Sequence, residues 1–286
     1  MVDKEVHFEI AGISFAYLYH FEMDYIEEST IRNFLISNSS TDIINHIFHI
    51  NDAIDLDDKG EAIYHTPAWT WHEKGNRITA VFHPDEHFIG LICFTKEDYI
   101  YTTYVTQEEY FPQILPIAMT GFILQQELNK KKKGFIMHGA TVIHEGRAIV
   151  LTGSSGVGKT TLSQMLLKHK EFSLLTDDRI IIRQEEGQLW IYGNPFDRKN
   201  HECKNQKERL YEIILLKHGK DNVLQQYSKE EACRKLLTIS LLPYGHAENL
   251  LTSVDLLQTI SKTIPVRELS FRLEPQTTEF FKEYLL

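Results

Sequence analysis

Apolar and polar positions along the chain change rhythm near residue 110 and again near residue 134. Residues 8–18, 43–50, 63–71, 77–82, 88–94 and 99–105 are short runs rich in aromatic and β-branched side chains, a pattern that predicts strands. Turn residues punctuate them at Asp57–Gly60, Glu73–Asn76, His83–Asp85 and Lys96–Asp98, which predicts antiparallel pairing. A helical interlude is expected over 27–38. From 110 to 133, Ile114, Ile117, Ala118, Gly121, Phe122, Leu124 and Leu128 recur at three- and four-residue spacing, which predicts a helix. Lys130 to Lys133 fall in its last turn, where cations complement the helix dipole, and Gly134 is a natural stop. The lysine run could alternatively contact phosphate. The domain boundary is placed there: a strand-rich α+β domain over 1–133, then a second domain over 134–286.

The second domain reads as strands alternating with helices, an α/β pattern. Strands are expected at 135–143 and 148–151 around a turn at His144–Arg147, then at 172–176, 180–183, 189–192, 211–216 and 267–271. Helices are expected at 161–169, 229–236, 253–263 and the C-terminus.

Composition narrows the class. With 42% apolar and 24% charged residues the 286-residue chain reads as globular and water-soluble. No apolar run approaches the ~20 residues of a spanning helix, and the charged start lacks an apolar signal core, so a cytoplasmic protein without membrane association is expected. Cys93, Cys203 and Cys233 are odd in number and far apart, which predicts reduced thiols rather than a disulfide framework or a zinc ribbon. The net charge of −10 is uneven: residues 1–133 carry 10 Lys+Arg against 21 Asp+Glu (−11), leaving 20 against 19 (+1) for residues 134–286. An acidic front half repels nucleic acid; it either attracts a basic partner or is simply solvated. An oligomer is compatible with all of this.

The most specific signal is Gly153, Ser154, Ser155, Gly156, Val157, Gly158, Lys159 and Thr160, which fits Gly-x4-Gly-Lys-Ser/Thr. Glycines let successive N–H groups turn inward around a phosphate, and the following helix presents its positive end. The strand 148–152 enters and a helix beginning with Thr160 and Thr161 leaves, as a phosphate loop requires. Lys159 would reach the β- and γ-phosphates of ATP, and the Thr160 hydroxyl would ligate Mg2+.

The chain carries neither a downstream Asn-Lys-x-Asp nor a Leu-Ser-Gly-Gly-Gln, which argues against a small GTPase and a transporter ATPase. Asp177 and Asp178 end the run 172–176 only 18 and 19 residues after Lys159. Asp-Asp before a strand is commonly a solvated turn. Beside this loop the pair has two chemical jobs, one carboxylate holding magnesium and the other accepting the proton of an attacking hydroxyl.

His138-Gly139, the loop 153–160 and Thr176-Asp177-Asp178-Arg179 together resemble the catalytic domain of HPr kinase/phosphorylase, enzymes that phosphorylate a serine of a small carrier protein. The resemblance covers residues 135–195. It implies a C-terminal P-loop kinase domain of the HPr kinase type, with Asp177 as general base, Asp178 as a magnesium ligand, His138 tuning the base and Arg179 contacting phosphate or anchoring Asp178. The glycine-rich segment of that family's pyrophosphate-using site has no counterpart. Residues 193–209 stand in its place, with five cations against three acids. The Gly193-Asn194-Pro195-Phe196 segment and the strand-rich front domain look more like the related kinases of lasso-peptide gene clusters, which implies a serine at the C-terminus of a precursor peptide as acceptor. Residues 198–209 are then expected as a mobile loop over the phosphates, or else an ordinary surface loop. Two other readings stay open: a kinase for a small hydroxyl compound such as free serine, and a nucleotide-binding regulatory module without transfer activity.

Overall fold

The computed structural model describes residues 4–22, 30–37, 41–49, 59–67, 69–75, 77–82, 91–97, 100–105, 119–130, 134–196, 203–241 and 247–285. Within them the chain is a mixed α/β protein with several sheets and five α-helices. It divides into two compact units, Met1–Glu127 with Pro243–Ala247, and Leu128–Leu242 with Glu248–Leu286.

In the first unit, the apolar run 8–18 folds as two strands. β1 (Lys4–Ile10) and β2 (Ile13–Tyr19) pair around Ala11 and Gly12, both at positive φ (54° and 67°). A two-residue turn with both residues left-handed matches the twist of the strands it joins. A single 3-10 turn at Thr30–Phe34 stands where a helix over 27–38 was expected; residues 27–29 and 38 lie outside the described residues. β3 (Ile43–His49), β4 (Glu61–His65), β5 (Trp69–Lys74), β6 (Arg77–Phe82), β7 (Leu91–Glu97) and β8 (Ile100–Val105) complete a sheet ordered β1-β2-β3-β8-β7-β6-β5-β4. The hairpins from β4 to β8 are antiparallel as expected, whereas β2–β3 and β3–β8 are parallel. Parallel neighbours need a crossover of about a dozen residues or more, and both connections are that long.

Alternate positions on these strands (Phe15, Tyr17, Tyr19, Ile43, Ile47, Tyr101) are buried. Residues of α1 (Gly121–Lys130) pack there too: the Phe122 ring lies 4.8 Å from that of Trp71. The tyrosines keep their hydroxyls satisfied, Tyr101 donating to Glu127 at 2.8 Å and Tyr17 sharing a 3.0 Å bond with Thr120. α1 occupies the end of the expected helix over 110–133; residues 110–118 and 131–133 lie outside the described residues.

The second unit contains β9 (Gly134–His138), β10 (Ala140–His144), β11 (Arg147–Thr152), α2 (Lys159–Leu166), β12 (Phe172–Thr176), β13 (Arg179–Glu185), β14 (Gln188–Tyr192), β15 (Lys207–His218), β16 (Val223–Gln226), α3 (Lys229–Ile239), β17 (Ser240–Leu241), α4 (Ala247–Thr263), β18 (Val266–Phe271) and α5 (Pro275–Leu285). β11, β15 and β18 are parallel neighbours, and β10 and β12 extend the sheet beyond β11. The first residues of β15 instead pair with β14, which continues to β13, β9 and β17.

The run 135–143, expected as one strand, breaks at Gly139. β9 pairs with β13 and β17, while β10 pairs with β11 and β12. A Cβ at Gly139 would lie 3.0 Å from the Leu151 carbonyl oxygen, so the crossing is tight. Side chains of β11 alternate between two apolar layers. Ile149 and Leu151 join Leu162 and Leu166 of α2 and Phe281 of α5; Ala148 and Val150 join Leu236 of α3 and Leu257 and Ile260 of α4. Burial on both faces explains why Ala148-Ile149-Val150-Leu151 is unbroken by polar residues.

Candidate functional site

The loop leaving β11 is shaped by its glycines. Gly153, Gly156 and Gly158 have φ of 141°, 77° and 97°, a region that disfavours other side chains. A Cβ on Gly153 would meet the Leu216 carbonyl oxygen at 2.9 Å, and one on Gly158 the Leu273 side chain at the same distance. Val157 is buried and anchors the loop, whereas Ser154, Ser155 and Gly156 are exposed. α2 then begins at Lys159 with no capping side chain and no acid in its first turn. Its first N–H groups therefore lack the side-chain cap that usually satisfies them.

The Lys159 ammonium donates to the carbonyls of Gly153 (3.0 Å) and Ser154 (2.9 Å), folding over its own loop. Burial holds its pKa below the usual lysine value, with Asp178 and Asp177 pulling the other way. Thr161 is exposed on α2.

β12 delivers Asp177 and Asp178 to the same end of the sheet. Asp177 is only 2% exposed, and its Oδ1 accepts from the Thr160 hydroxyl (3.2 Å) and the Asp178 N–H (2.9 Å). Asp178 has φ 68°, and the Arg179 N–H reaches back to the Asp177 carbonyl at 2.9 Å. This is a γ-turn of the strained, positive-φ kind. The Asp178 carbonyl accepts from the Gly139 N–H and lies 3.2 Å from His138 Nδ1. That acceptor makes Nδ1 the protonated nitrogen and leaves Nε2 as an acceptor. The Asp178 carboxylate, 40% exposed, stands 3.9 Å from the same Nδ1. Burial pushes the His138 pKa down, reinforced by the charges of Arg179 and Lys159 and opposed by Asp178. His138 is thus neutral near pH 7.

Thr160, Lys159, Asp177, Asp178 and His138 therefore gather at the glycine loop, and Arg179 faces His138 across the β9–β13 pair. The segment 198–209 divides. Residues 198–202 lie outside the described residues, while Lys207 and Arg209 belong to strand β15 rather than to a loop. Lys207 binds Glu185 at 2.7 Å and covers the Trp190 ring. A β-sheet partner in β14 holds both cations in the strand.

Asn194 carries a role that sequence reasoning did not give it. Buried to 1% exposure, its amide donates to the Thr176 hydroxyl (2.9 Å) and the Arg179 carbonyl (2.8 Å), which brace the Asp177–Asp178 turn from both ends. Gly193 makes this possible, since a Cβ there would sit 1.9 Å from the Lys204 carbonyl oxygen. The available signal was Gly-Asn-Pro directly after a strand, a backbone pattern that demands a tight local structure.

No protein-family model matches the sequence, and no curated protein matches it. Among solved structures, the chain is similar to the Hpr(Ser) kinase/phosphatase from Coxiella burnetii at 13% identity and a TM-score of 0.31, over 52% of this chain and 97% of that one. No described helix is long and apolar enough to cross a membrane.

Proposed function

We propose that the chain is a cytoplasmic, ATP-dependent kinase of the P-loop type that transfers the γ-phosphoryl group to a serine hydroxyl of a peptide or small protein. The observation that carries this reading is the hydrogen bond from Thr160 to the buried Asp177 at the mouth of an uncapped, glycine-shaped loop. A threonine hydroxyl and a carboxylate side by side suit magnesium, which takes oxygen ligands and is commonly held by one or two protein groups plus substrate phosphates. When bound, the ion would neutralise charge on the β- and γ-phosphates.

The loop N–H groups would cradle the phosphates, and Lys159 would exchange its carbonyl partners for phosphate oxygens. The resemblance implied Asp177 as base and Asp178 as metal ligand; burial and hydrogen bonding favour the reverse. Asp177 is enclosed and engaged by Thr160, so it suits the metal, whereas the partly exposed Asp178 can meet an incoming hydroxyl. The acceptor oxygen then bonds to the γ-phosphorus as the bond to the bridging oxygen breaks. Its proton passes to Asp178, and ADP leaves. Neutral His138 and the Asn194 brace hold Asp178 in its turn.

Asp178→Asn should keep ATP affinity within a few-fold while transfer falls by about 10²–10⁴, and Asp177→Asn should raise the magnesium requirement. The opposite pattern would return the roles to the order the resemblance implied. Labelled ATP offered with peptides ending in serine, such as a lasso-peptide precursor, and separately with free serine tests the acceptor. Label on the free amino acid alone would make the chain a small-molecule kinase, and ATP binding without any transfer would make it a regulatory module.

A further inference from the structure

We infer that Leu273 is the platform on which the nucleoside end of the triphosphate rests. This deepens the phosphate-loop reading and depends on it. The loop is flanked on two sides by unlike chemistry. On one side Thr160 bonds Asp177, and Asp178 and His138 lie beyond, at the ends of β12 and β9. On the other side Leu273, just past the end of β18, lies against Gly158 so closely that a Cβ there would meet its side chain at 2.9 Å. A triphosphate is a linear chain. If its terminal phosphoryl group is to meet Asp178, its nucleoside must leave the loop on the opposite side, above the ends of β15 and β18. Ligands of parallel α/β sheets occupy this crevice outside the carboxyl ends of the strands.

Leu273 suits that end of the ligand. It is 39% exposed although its neighbours in β18, Leu269 and Phe271, are fully buried. Its backbone is held: the Arg272 carbonyl accepts from the Glu274 N–H (2.9 Å) and from the Thr277 hydroxyl (2.5 Å) at the start of α5. An apolar face presented on a fixed turn can cover a nucleobase or ribose while making no demand on the phosphates.

The test is calorimetry with ATP and with inorganic tripolyphosphate, each with magnesium. Leu273→Ala should weaken ATP about five- to ten-fold through the lost apolar contact, and leave tripolyphosphate within about two-fold. Leu273→Met, which keeps the apolar area, should bind ATP within about two-fold of the wild type. Equal losses for ATP and tripolyphosphate in Leu273→Ala would make Leu273 only a support for the loop, and unchanged ATP affinity would remove it from the site. If neither ligand binds the wild type, the phosphate-loop reading itself fails, and this proposal with it; tripolyphosphate binding without any gain for ATP overturns the platform alone.

Discussion

Two helices of the second unit begin in opposite ways. α3 is finished by its own chain: Ser228 Oγ accepts from the Glu231 N–H (3.3 Å), the Glu231 carboxylate accepts from the Ser228 N–H (3.1 Å), and Glu230 adds a second acid to the first turn. Such a reciprocal cap satisfies orphan donors and meets the positive helix end with negative charge. α2 has none of this. Its N-cap is Gly158 in a left-handed conformation, its first residue is the cation Lys159, and its first turn holds no acid. An end built this way is costly unless something anionic arrives. Ser228 therefore contributes to folding, whereas the start of α2 has no such cap or charge from its own chain, and under the proposed function the triphosphate would supply it.

The largest expected effect separates these two ends directly. Lys159→Ala should reduce transfer by about two to three orders of magnitude. Ser228→Ala should leave turnover alone and cost about 1 kcal/mol of stability. Magnesium-ATP at 100 times its dissociation constant should stabilise the wild type and Ser228→Ala equally, by about 2.7 kcal/mol. Thermal melts with and without nucleotide check this; a full ligand-induced shift in Lys159→Ala would break the contrast.

A second contrast lies within the acid pair. Asp177 directly follows β12 and is buried, whereas Asp178 sits at positive φ in a turn pinned by Gly139, His138 and Arg179. Left-handed backbone costs a side chain of order 1 kcal/mol, and glycine avoids it. Asp178→Gly should therefore be more stable than Asp178→Ala by about 1 kcal/mol while both lose transfer. Denaturant titrations of the two variants measure the difference; equal stabilities would mean that the turn relaxes and stores no strain.

What was legible in the sequence is what is local in it. The strand, glycine-shaped loop and helix over 148–166 were legible because their glycines and apolar runs are consecutive residues. That Asp177 is enclosed and Asp178 partly exposed was not legible, because neighbours on a turn face different surroundings and only folding decides which is buried. Asn194 escaped because its partners, Thr176 and Arg179, are brought to it by the β12–β13–β14 arrangement. The break at Gly139 was hidden for a related reason: apolar period marks burial and says nothing about a strand passing from one set of partners to another. Parallel pairing in the first unit was missed because turn residues report hairpins and are silent on crossovers.

The smallest expected effect concerns His138. Its Nδ1–H is held by the Asp178 carbonyl, and burial lowers its pKa below the usual 6.5. The unfolded chain takes up this proton near pH 6.5, while the folded chain resists until lower pH, so below 6.5 the unfolded state binds more protons. The stability contributed by neutral His138 is thus complete above 6.5 and is lost as the pH falls through the lowered folded value. His138→Asn keeps a donor near Nδ1 but cannot titrate, so its melting temperature should fall less steeply between pH 6.5 and 5 than that of the wild type. Because His138 is nearly half exposed, solvent will keep this difference small. Kinetics supply a second reading of the same proton. Imidazolium 3.9 Å from the Asp178 carboxylate would weaken it as a base, so wild-type transfer should decline over the pH range in which the two stability curves part. Parallel stability curves, or transfer that falls in His138→Asn over the same range, would assign the titration to another group.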